Sequence, residues 1–290
     1  MDKTALVTGA SSGIGEATAR RLLADGYKVF VAARRVDRMA NLASLGATPL
    51  PLDLTDDASI VAAVETIKTA AGRLDVLVNN AGYGSYGALE NVPLVEARRQ
   101  FEVNVFGLAR LCQLVLPIMR AQKSGKIVNV TSIGGKIWEP LGSWYHATKY
   151  AVEGLSDCLR VEVERLGIDV VVIEPGAIRT EWAGIAREGL LQMSGNGAYA
   201  EQAKRHAQML ATADTTNLAS PPEVVAKTIL RAVNARRPKT RYATGGGART
   251  ILFLRRILSD RMFDRLIRRV TQGSAEKSPS TRDWLFSPDR

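Results

Sequence analysis

A glycine-rich turn between a predicted strand and a predicted helix constrains the fold of this chain more than any other feature. The apolar run Thr4–Thr8 has the length of a buried strand, and Gly9-Ala10-Ser11-Ser12-Gly13-Ile14-Gly15 follows it directly, ahead of a helical pattern that extends to Ala24. Glycine permits a sharp turn and a close approach of the backbone to a phosphate, and a helix start offers unpaired N–H groups to an anion. The segment predicts half of a βαβ unit with a phosphate-binding turn; an ordinary turn with a helix cap is the alternative.

Strand-like and helix-like segments alternate through most of the chain, which predicts an α/β fold with a doubly wound parallel sheet. The predicted strands are residues 4–8, 28–33, 48–52, 76–79, 126–131, 169–174 and 241–244. The predicted helices are residues 14–24, 36–45, 57–71, 94–122, 145–166 and 222–235. We therefore expect a seven-stranded sheet flanked by helices within a single domain, residues 1–248.

Composition is typical of a soluble globular protein. The 290 residues are 46% hydrophobic and 23% charged, and no apolar run is expected to reach the length that spans a bilayer. Met1-Asp2-Lys3 leads almost directly into the first strand, so we expect no signal peptide. Cys112 and Cys158 lie in apolar helical patterns and are expected to be buried thiols. These features predict a cytoplasmic protein.

The segment from about residue 181 to residue 219 interrupts the alternation of strands and helices. It contains Gly195-Asn196-Gly197 and ends in a stretch rich in Thr, Asp and Asn. An irregular insertion beyond the carboxyl end of a strand lies where α/β sheets bind ligands, so we interpret it as a lid. A mobile pair of surface helices is the alternative.

A basic, amphipathic segment follows the last predicted strand. Residues 249–270 hold seven arginines and two aspartates, which is about half of the net charge of +10. Apolar residues recur there at helical spacing, at Ile251, Leu254, Leu258, Met262 and Leu266. A helix over residues 249–271 could contact an anionic membrane, cover its own domain or pair with another subunit. No nucleic-acid-binding motif accompanies it, so no nucleic-acid partner is expected; residues 272–290 are predicted to be disordered.

Tyr145 and Lys149 place a phenol and an ammonium group one helical turn apart. A free tyrosine is a poor base at neutral pH, because its pKa is about 10. A cation fixed beside the ring favours the phenolate, so we expect Lys149 to lower the pKa of Tyr145. Tyr145 could then exchange a proton with an alcohol or carbonyl oxygen. Taken alone, this spacing also occurs by chance on surface helices.

Several short motifs occur in order along the chain. They are Thr8-Gly9-x-x-x-Gly13-Ile14-Gly15, Asn79-Asn80-Ala81-Gly82, Asn104, Ser132, Tyr145-x-x-x-Lys149 and Pro175-Gly176-x-x-x-Thr180. Together they resemble the short-chain dehydrogenase/reductase family over residues 4–244, and within it the branch of hydroxysteroid and retinol dehydrogenases and their bacterial relatives. The resemblance implies a Rossmann-type fold, a nicotinamide cofactor, and a homodimer or homotetramer formed through helices 94–122 and 145–166.

The resemblance also implies which residues bind the cofactor and which react. The cofactor residues would be Gly9, Ser11, Ser12, Gly13, Ile14, Gly15, Arg34, Asp53, Leu54, Asn80, Ala81, Gly82, Tyr145, Lys149, Pro175, Gly176, Ile178 and Thr180. The catalytic residues would be Tyr145 as the general acid or base, Lys149 on the nicotinamide ribose, Ser132 as a donor to the substrate oxygen, and Asn104 holding a water that links Lys149 to solvent.

Simpler roles exist for several of these positions. Ser132 could end its strand for turn reasons, Asn104 could face water in mid-helix, and Asp53 could cap the next helix. The only histidines are His146 and His206, so no metal site is expected. We interpret His146 as a packing residue.

Arg34 and Arg35 follow the second predicted strand. An acidic residue near this position would accept hydrogen bonds from the adenine ribose of NAD, and no Asp or Glu ends the strand. A 2′-phosphate instead favours a guanidinium group. The pair therefore predicts NADP(H) as the cofactor, with Arg34 as the contact; a solvated basic turn is the alternative.

Aromatic and aliphatic residues flank the motifs and predict an apolar substrate pocket. They are Tyr83, Tyr86, Trp138, Trp144 and Trp182, with Leu190, Leu191 and Met193 from the predicted lid. Several of them could instead pack the lid. The sequence as a whole predicts an NADP(H)-dependent oxidoreductase that interconverts a hydrophobic ketone or aldehyde and its alcohol. The alternatives are a non-enzymatic nucleotide-binding regulator, and an isomerase or dehydratase that retains its cofactor.

Overall fold

Seven strands form one parallel sheet in the order β3-β2-β1-β4-β5-β6-β7. The computed structural model describes residues 3–215 and 218–272. The strands are β1 (Thr4–Thr8), β2 (Lys28–Ala33), β3 (Thr48–Pro51), β4 (Val76–Asn79), β5 (Gly125–Val130), β6 (Ile168–Pro175) and β7 (Arg241–Thr244). The predicted seven-stranded sheet is confirmed, and each observed strand end differs from the predicted one by at most one residue.

Helices cover both faces of this sheet. They are α1 (Gly13–Ala24), α2 (Ala40–Ala43), α3 (Asp57–Ala71), α4 (Leu94–Phe101), α5 (Gly107–Gln122), α6 (Ser143–Val163), α7 (Glu181–Ser194), α8 (Ala200–Thr215), α9 (Pro222–Asn234), α10 (Ala248–Ile257) and α11 (Asp260–Gln272). One core cluster joins α3, α5 and α6 to the sheet, and a second joins α1, α2 and α9 to its other face. Helices on both faces explain why β1 is buried along its whole length and is apolar without alternation.

The strand order reverses between β1 and β4. The chain runs outward from β1 through β2 to β3, and then returns to β4 on the other side of β1. A crevice forms at such a reversal, outside the carboxyl ends of the strands, because the two connecting segments lead away in opposite directions. The glycine-rich turn after β1 lies at this edge of the sheet.

Two predicted helices are interrupted in the structure. A π-helical turn, Glu102–Phe106, separates α4 from α5, so the predicted continuous helix over 94–122 is wrong in its middle. Residues 36–45 form a 3₁₀ turn, Asp37–Met39, followed by the short α2. A π turn inserts one residue into the helical repeat, which sequence periodicity does not reveal.

By length and composition alone, the helical stretch Leu94–Gln122 could cross a membrane. The expectation that no segment reaches that length is therefore wrong. The core helix of a soluble protein meets the same criterion. In this fold Leu108, Leu111, Val115 and Met119 of α5 are buried in the core cluster beneath the sheet, which accounts for the apolar composition.

The segment 181–219 contains two ordered helices, α7 and α8, rather than an irregular insertion. We call this pair the covering helices. Leu190 of α7 and Ala203 of α8 belong to a core cluster that also includes Tyr86 and Tyr145. The pair therefore lies over the predicted site, as the lid interpretation requires, although its structure is that of the alternative helix pair.

The basic C-terminal segment forms two helices, so the prediction of one helix over 249–271 is wrong. The backbone turns extended at Leu258, with φ −87° and ψ 138°, between α10 and α11. The break shifts the apolar register: Phe263 and Ile267 are buried against Ile137, whereas Met262 of the predicted stripe is 51% exposed. The segment thus covers its own domain. We predicted disorder over residues 272–290; Gln272 ends α11, and residues 273–290 lie outside the described residues.

The outer face of α6 is exposed and carries small and apolar residues. They are Ala147, Gly154, Cys158 and Val161, together with the half-exposed Tyr150. Both cysteines are free thiols; Cys112 is buried, but Cys158 is exposed, contrary to expectation. Cys158 lies on the face of α6 that points away from the sheet. An apolar helical pattern alone does not show which face of a helix is buried.

Candidate active site

The glycine-rich turn has the geometry of a phosphate-binding loop. Gly9 and Gly13 have positive φ angles of 65° and 55°, which favour glycine, and a Cβ on Gly15 would lie 2.3 Å from the Gly9 carbonyl oxygen. Ser12 is the N-cap residue of α1, but its side chain makes no capping hydrogen bond. The Ser12 hydroxyl therefore does not compete with an anion for the first N–H groups of α1. Asn80 Nδ2 donates to the Thr8 carbonyl at 3.0 Å and ties the turn to the end of β4.

Two connected clefts follow the carboxyl edge of the sheet. The outer cleft, about 490 Å³, is lined by Gly9, Ser11, Ser12, Gly13, Ile14, Arg34, Asp53, Leu54, Asn80, Ala81, Gly82 and Thr180 among the predicted residues. The inner cleft, about 260 Å³, is lined by Ser132, Tyr145, Lys149, Pro175, Gly176 and Ile178 among them. Both clefts share Ile14, Asn80, Gly82, Tyr83, Thr180 and Trp182. Gly15 and Asn104 line neither and act through packing and hydrogen bonds.

Ser132, Tyr145 and Lys149 meet in the inner cleft. Ser132 lies two residues beyond the end of β5. Its hydroxyl oxygen accepts a hydrogen bond from the Gly134 N–H at 3.0 Å, and the hydroxyl also hydrogen-bonds the Tyr145 phenol. Lys149 Nζ donates to the Val130 carbonyl at 3.1 Å and lies 5.9 Å from the centre of the Tyr145 ring. The turn role and the site role of Ser132 are therefore compatible.

The electrostatics of this pair differ from the prediction. Burial raises the pKa of Tyr145 to about 12 in the protein chain, with the Ser132 hydrogen bond opposing and the Glu139 charge assisting the rise. Burial also lowers the pKa of Lys149 to about 8, although Glu153 opposes that shift. The expected lowering by Lys149 is wrong for the chain alone, because loss of water outweighs a neighbouring cation. The phenol is protonated at neutral pH.

Asn104 lies in the π turn and is buried, so it does not face water. Its Oδ1 accepts from the Tyr83 N–H at 3.1 Å, and its Nδ2 donates to the Tyr83 carbonyl at 2.9 Å and to the Thr148 hydroxyl at 3.1 Å. Asn104 thus holds the loop after β4 against α6, the helix that carries Tyr145 and Lys149. A Cβ on Gly82 would lie 3.0 Å from Asn104 Oδ1, so a larger residue there would crowd this amide.

Charges gather at the far end of the outer cleft. Arg34 and Arg99 both lower the pKa of Asp53, although the Thr55 N–H hydrogen bond contributes more. Asp53 does not cap α3; Asp56 does, accepting from the Ala58 N–H at 3.0 Å. Sequence reasoning missed Arg99, because it lies on α4 far along the chain and only the fold brings it to the cleft.

Arg35 and Arg34 differ in their partners. Arg35 lies 3.7 Å from Glu181 at the start of α7, and Arg38 lies 3.0 Å from the same carboxylate. No ion pair to Arg34 occurs within residues 3–215 and 218–272. Arg34 is thus the cation that remains available to a ligand in the outer cleft. Thr180 caps α7, since its hydroxyl accepts from the Trp182 N–H at 3.3 Å.

The walls of the inner cleft differ in part from the predicted set. Tyr83, Tyr86 and Trp182 line it, but Trp138, Trp144, Leu190, Leu191 and Met193 do not. The Trp138 indole N–H instead donates to Asp264 at 2.9 Å. The Arg255 guanidinium lies over the indole, with its Cζ 4.4 Å from the ring centre of Trp138. The C-terminal helices therefore engage this indole. The covering helices contribute Ala183, Met209 and Leu210 in place of the predicted lid residues.

Two further polar residues lie at the inner cleft and were not predicted to act there. Glu139 lines it, and His146, interpreted as a packing residue, braces the loop that carries Glu139. His146 Nε2 accepts from the Glu139 N–H at 3.1 Å, while Nδ1 is 2.9 Å from the Gly134 carbonyl. The one sequence signal is an acidic residue within the apolar stretch Ile137-Trp138-Glu139-Pro140.

Curated relatives match between 60% and 93% of the chain. An NADPH-dependent 3-dehydrocapnine reductase of Ornithobacterium rhinotracheale is 35% identical over 286 residues, covering 93% of this chain and 99% of that protein. A 3-ketodihydrosphingosine reductase of Bacteroides thetaiotaomicron is 41% identical over 175 residues, covering 60% of this chain and 64% of that protein. Both are proteins to which this chain is similar.

Solved structures have the same fold. A short-chain dehydrogenase from Streptomyces avermitilis superposes with a TM-score of 0.76 at 36% identity, covering 87% of this chain and 92% of that one. An alcohol dehydrogenase from Thermococcus sibiricus, complexed with 5-hydroxy-NADP, gives 0.66 at 26% identity, covering 83% and 96%. A short chain dehydrogenase/reductase from Burkholderia phymatum in complex with NAD gives 0.76 at 24% identity, covering 96% and 98%, which shows the fold alone. A sequence profile described as short chain dehydrogenase matches residues 3–190. The chain belongs to the short-chain dehydrogenase/reductase family.

Proposed function

We propose that this oxidoreductase uses NADPH to reduce a hydrophobic ketone or aldehyde to its alcohol, with Tyr145 as the general acid. The observation that carries the proposal is the inner cleft. It brings a protonated phenol, a serine hydroxyl and a lysine ammonium group to the end of a groove that begins at a glycine-rich turn. No simpler structural role requires these three groups to face one cleft.

The residues of the outer cleft fit a dinucleotide phosphate. The glycines leave room that Cβ atoms would fill, and a helix start faces the groove. Arg34 has no carboxylate partner among the described residues and suits a 2′-phosphate, with Arg99 as a second cation across Asp53. The NADPH-dependent relative and the NADP-type ligand of the Thermococcus sibiricus structure support the same choice. When bound, NADPH supplies the hydride that reduces the carbonyl carbon.

The side chains of the inner cleft supply the proton and hold the substrate. Ser132 and Tyr145 donate hydrogen bonds to the carbonyl oxygen, which gathers negative charge as the carbon is reduced. Tyr145 then transfers its phenolic proton to that oxygen, so the product is a neutral alcohol. A pKa raised to about 12 suits this direction, because Tyr145 holds the proton until the oxygen becomes basic. Lys149 lies close enough to stabilise the phenolate left behind.

A hydrophobic carbonyl compound fits the walls of the inner cleft. Ile133, Ile137, Met209 and Leu210 line it together with aromatic rings. Both relatives are named as reductases, one of 3-ketodihydrosphingosine and one of 3-dehydrocapnine, which supports reduction of a ketone.

The test is NADPH oxidation, followed by absorbance, with a panel of hydrophobic ketones. Tyr145→Phe removes the phenolic proton and should lower kcat by about a hundred- to ten-thousand-fold. The matched control is Tyr150→Phe, on the exposed face of the same helix, which should retain wild-type rates. NADPH binding by fluorescence verifies that both variants are folded.

Other results would reject the proposal. Full activity in Tyr145→Phe would remove the proposed acid. Tight nucleotide binding with no turnover across the panel would favour a regulator, and product formation without net loss of NADPH would favour an isomerase or dehydratase that retains its cofactor.

We further propose that the exposed face of α6 forms a homodimer or homotetramer contact in a cytoplasmic protein. Peripheral membrane contact is also proposed for α10, where Phe253 is 62% exposed beside basic residues. Flotation with anionic vesicles measures this contact, and Phe253→Ser should reduce the bound fraction. Equal binding to neutral vesicles would count against it.

A further inference from the structure

A carboxylate lies inside the inner cleft without a cationic partner. Glu139 lines this cleft together with Ser132 and Tyr145. Among the described residues, only His206 places a basic nitrogen within ion-pair range, with Nε2 3.7 Å from a Glu139 oxygen. Burial lowers the pKa of His206 to about 4, so its ring is uncharged at neutral pH and the two groups do not form an ion pair.

His206 is itself a buried group without a partner. Its side chain is fully buried, and neither ring nitrogen has a hydrogen-bond partner within the described part of the chain. A buried polar atom without a partner costs free energy, so native proteins seldom retain one without a reason. Glu139 from the loop before α6 and His206 from α8 therefore lie together beside the cleft, the first without a cation in range and the second without a hydrogen-bond partner among the described residues.

The position of Glu139 is fixed relative to the catalytic helix. Its backbone N–H donates to His146 Nε2, and His146 belongs to α6 next to Tyr145. The Tyr86 ring contacts both Tyr145 and His206. Its centre is 5.6 Å from that of the Tyr145 ring and 5.7 Å from that of the His206 ring. Glu139 lines the same cleft as Tyr86 and Tyr145. Burial raises the pKa of both tyrosines, and the charge of Glu139 adds to each rise.

We propose that Glu139 determines substrate specificity by binding a cationic amino group next to the carbonyl that Ser132 and Tyr145 hold. This inference rests on the proposed function. Burial raises the pKa of Glu139 to about 7, so a cation bound beside it would favour the charged carboxylate over the protonated form.

The substrate class follows from the contents of the cleft. A carbonyl must lie at Tyr145, a cation at Glu139, and an alkyl chain against Ile133, Ile137, Met209 and Leu210. A long-chain α-aminoketone carries these three features in one molecule. A neutral steroid or an acyl thioester lacks the cation and would leave the carboxylate unpaired.

The experiment compares two ketones that differ only in the amino group. The probes are 3-ketodihydrosphingosine and the same compound without its amine, each reduced by wild type and by Glu139→Gln with NADPH. We expect wild-type kcat/KM for the aminoketone to exceed that for the deaminated ketone by about tenfold or more, the strength of a charge-assisted hydrogen bond. In Glu139→Gln this preference should disappear, chiefly through a higher KM for the aminoketone.

The controls separate specificity from folding. Glu188→Gln replaces an exposed carboxylate on α7 and should keep the wild-type preference. Activity of Glu139→Gln on the deaminated ketone verifies that its catalytic groups are intact. Equal loss on both ketones, or a wild type that does not prefer the amine, would overturn the role of Glu139 while leaving the reductase proposal in place. Absence of turnover with every ketone tested would reject both.

Discussion

Replacing Arg241 by methionine removes the cation that links β7 to its neighbours. Its guanidinium donates to Glu153 at 3.0 Å and to Asp157 at 2.6 Å, and lies 3.6 Å from Glu174. The side chains of Glu153 and Glu174 are only 4% and 6% exposed. Methionine fills a similar volume without charge, so the substitution tests the ionic contribution in particular.

The expected loss follows from what remains after the change. Breaking a buried ion pair costs about 3–5 kcal/mol when a buried charge is left unpaired. Glu153 keeps Lys136 at 3.0 Å and the Thr131 hydroxyl at 2.7 Å. Burial already raises the pKa of Glu174 to about 7, so this carboxyl can take up a proton instead of remaining charged. We therefore expect the lower end of the range, about 3 kcal/mol of the free energy of unfolding.

Urea denaturation followed by circular dichroism measures this loss. With an m value of about 3 kcal/mol/M, the midpoint should fall by about 1 M. The loss should be larger at about pH 8 than at about pH 6, because a carboxyl with a raised folded-state pKa is charged and destabilising only above that pKa. The matched control is Arg160→Met. Arg160 donates to Asp157 one turn away on the surface of α6, and its loss should cost at most about 1 kcal/mol. A change in Arg241→Met no larger than in the control would refute the reasoning.

Three further predictions concern the site and the assembly. Arg34→Asp should lower kcat/KM for NADPH by about tenfold or more and shift preference toward NADH, with Arg35→Asp as the control that retains it; unchanged selectivity would contradict the assignment. Burial lowers the pKa of Lys149 to about 8, so NADPH affinity, titrated by fluorescence, should fall as pH rises through that value, and Lys149→Arg should abolish the fall. Gly154→Arg places a charge on the exposed face of α6 without a clash, because a Cβ there meets nothing within 4 Å. Light scattering should then report a smaller molar mass than for wild type, with the fold retained. An unchanged molar mass would exclude this face as the subunit contact.

The sheet was predictable because buried parallel strands carry continuous apolar runs. Such a run, bounded by turn residues, leaves little freedom for strand ends, as β1 and β2 illustrate. The site was predictable for a related reason. Asn80 and Ser132 follow β4 and β5, and Pro175 ends β6. The carboxyl ends of parallel strands share one edge, so the order of these residues in the chain already places them together.

The rest depended on tertiary contacts that have no local pattern. The break at Leu258 contains neither glycine nor proline, and it changes which apolar residues face the domain. Trp138 is an aromatic residue of the kind that lines substrate pockets, but its partners lie on α10 and α11. The pKa of Tyr145 depends mainly on its burial, which the residues adjacent in the sequence do not determine.

The π turn shows how one local irregularity positions two parts of the site. An extra residue in a helical turn rotates the positions after it by about 100° relative to a regular α-helix. Asn104 lies within this turn, where its amide reaches both the N–H and the carbonyl of Tyr83 as well as the hydroxyl of Thr148. The first two bonds fix the loop shared by the outer and inner clefts, and the third fixes α6 beside Tyr145. A regular helix would turn this amide away from one of the two, so the irregular segment keeps the loop after β4 and the helix of Tyr145 in register.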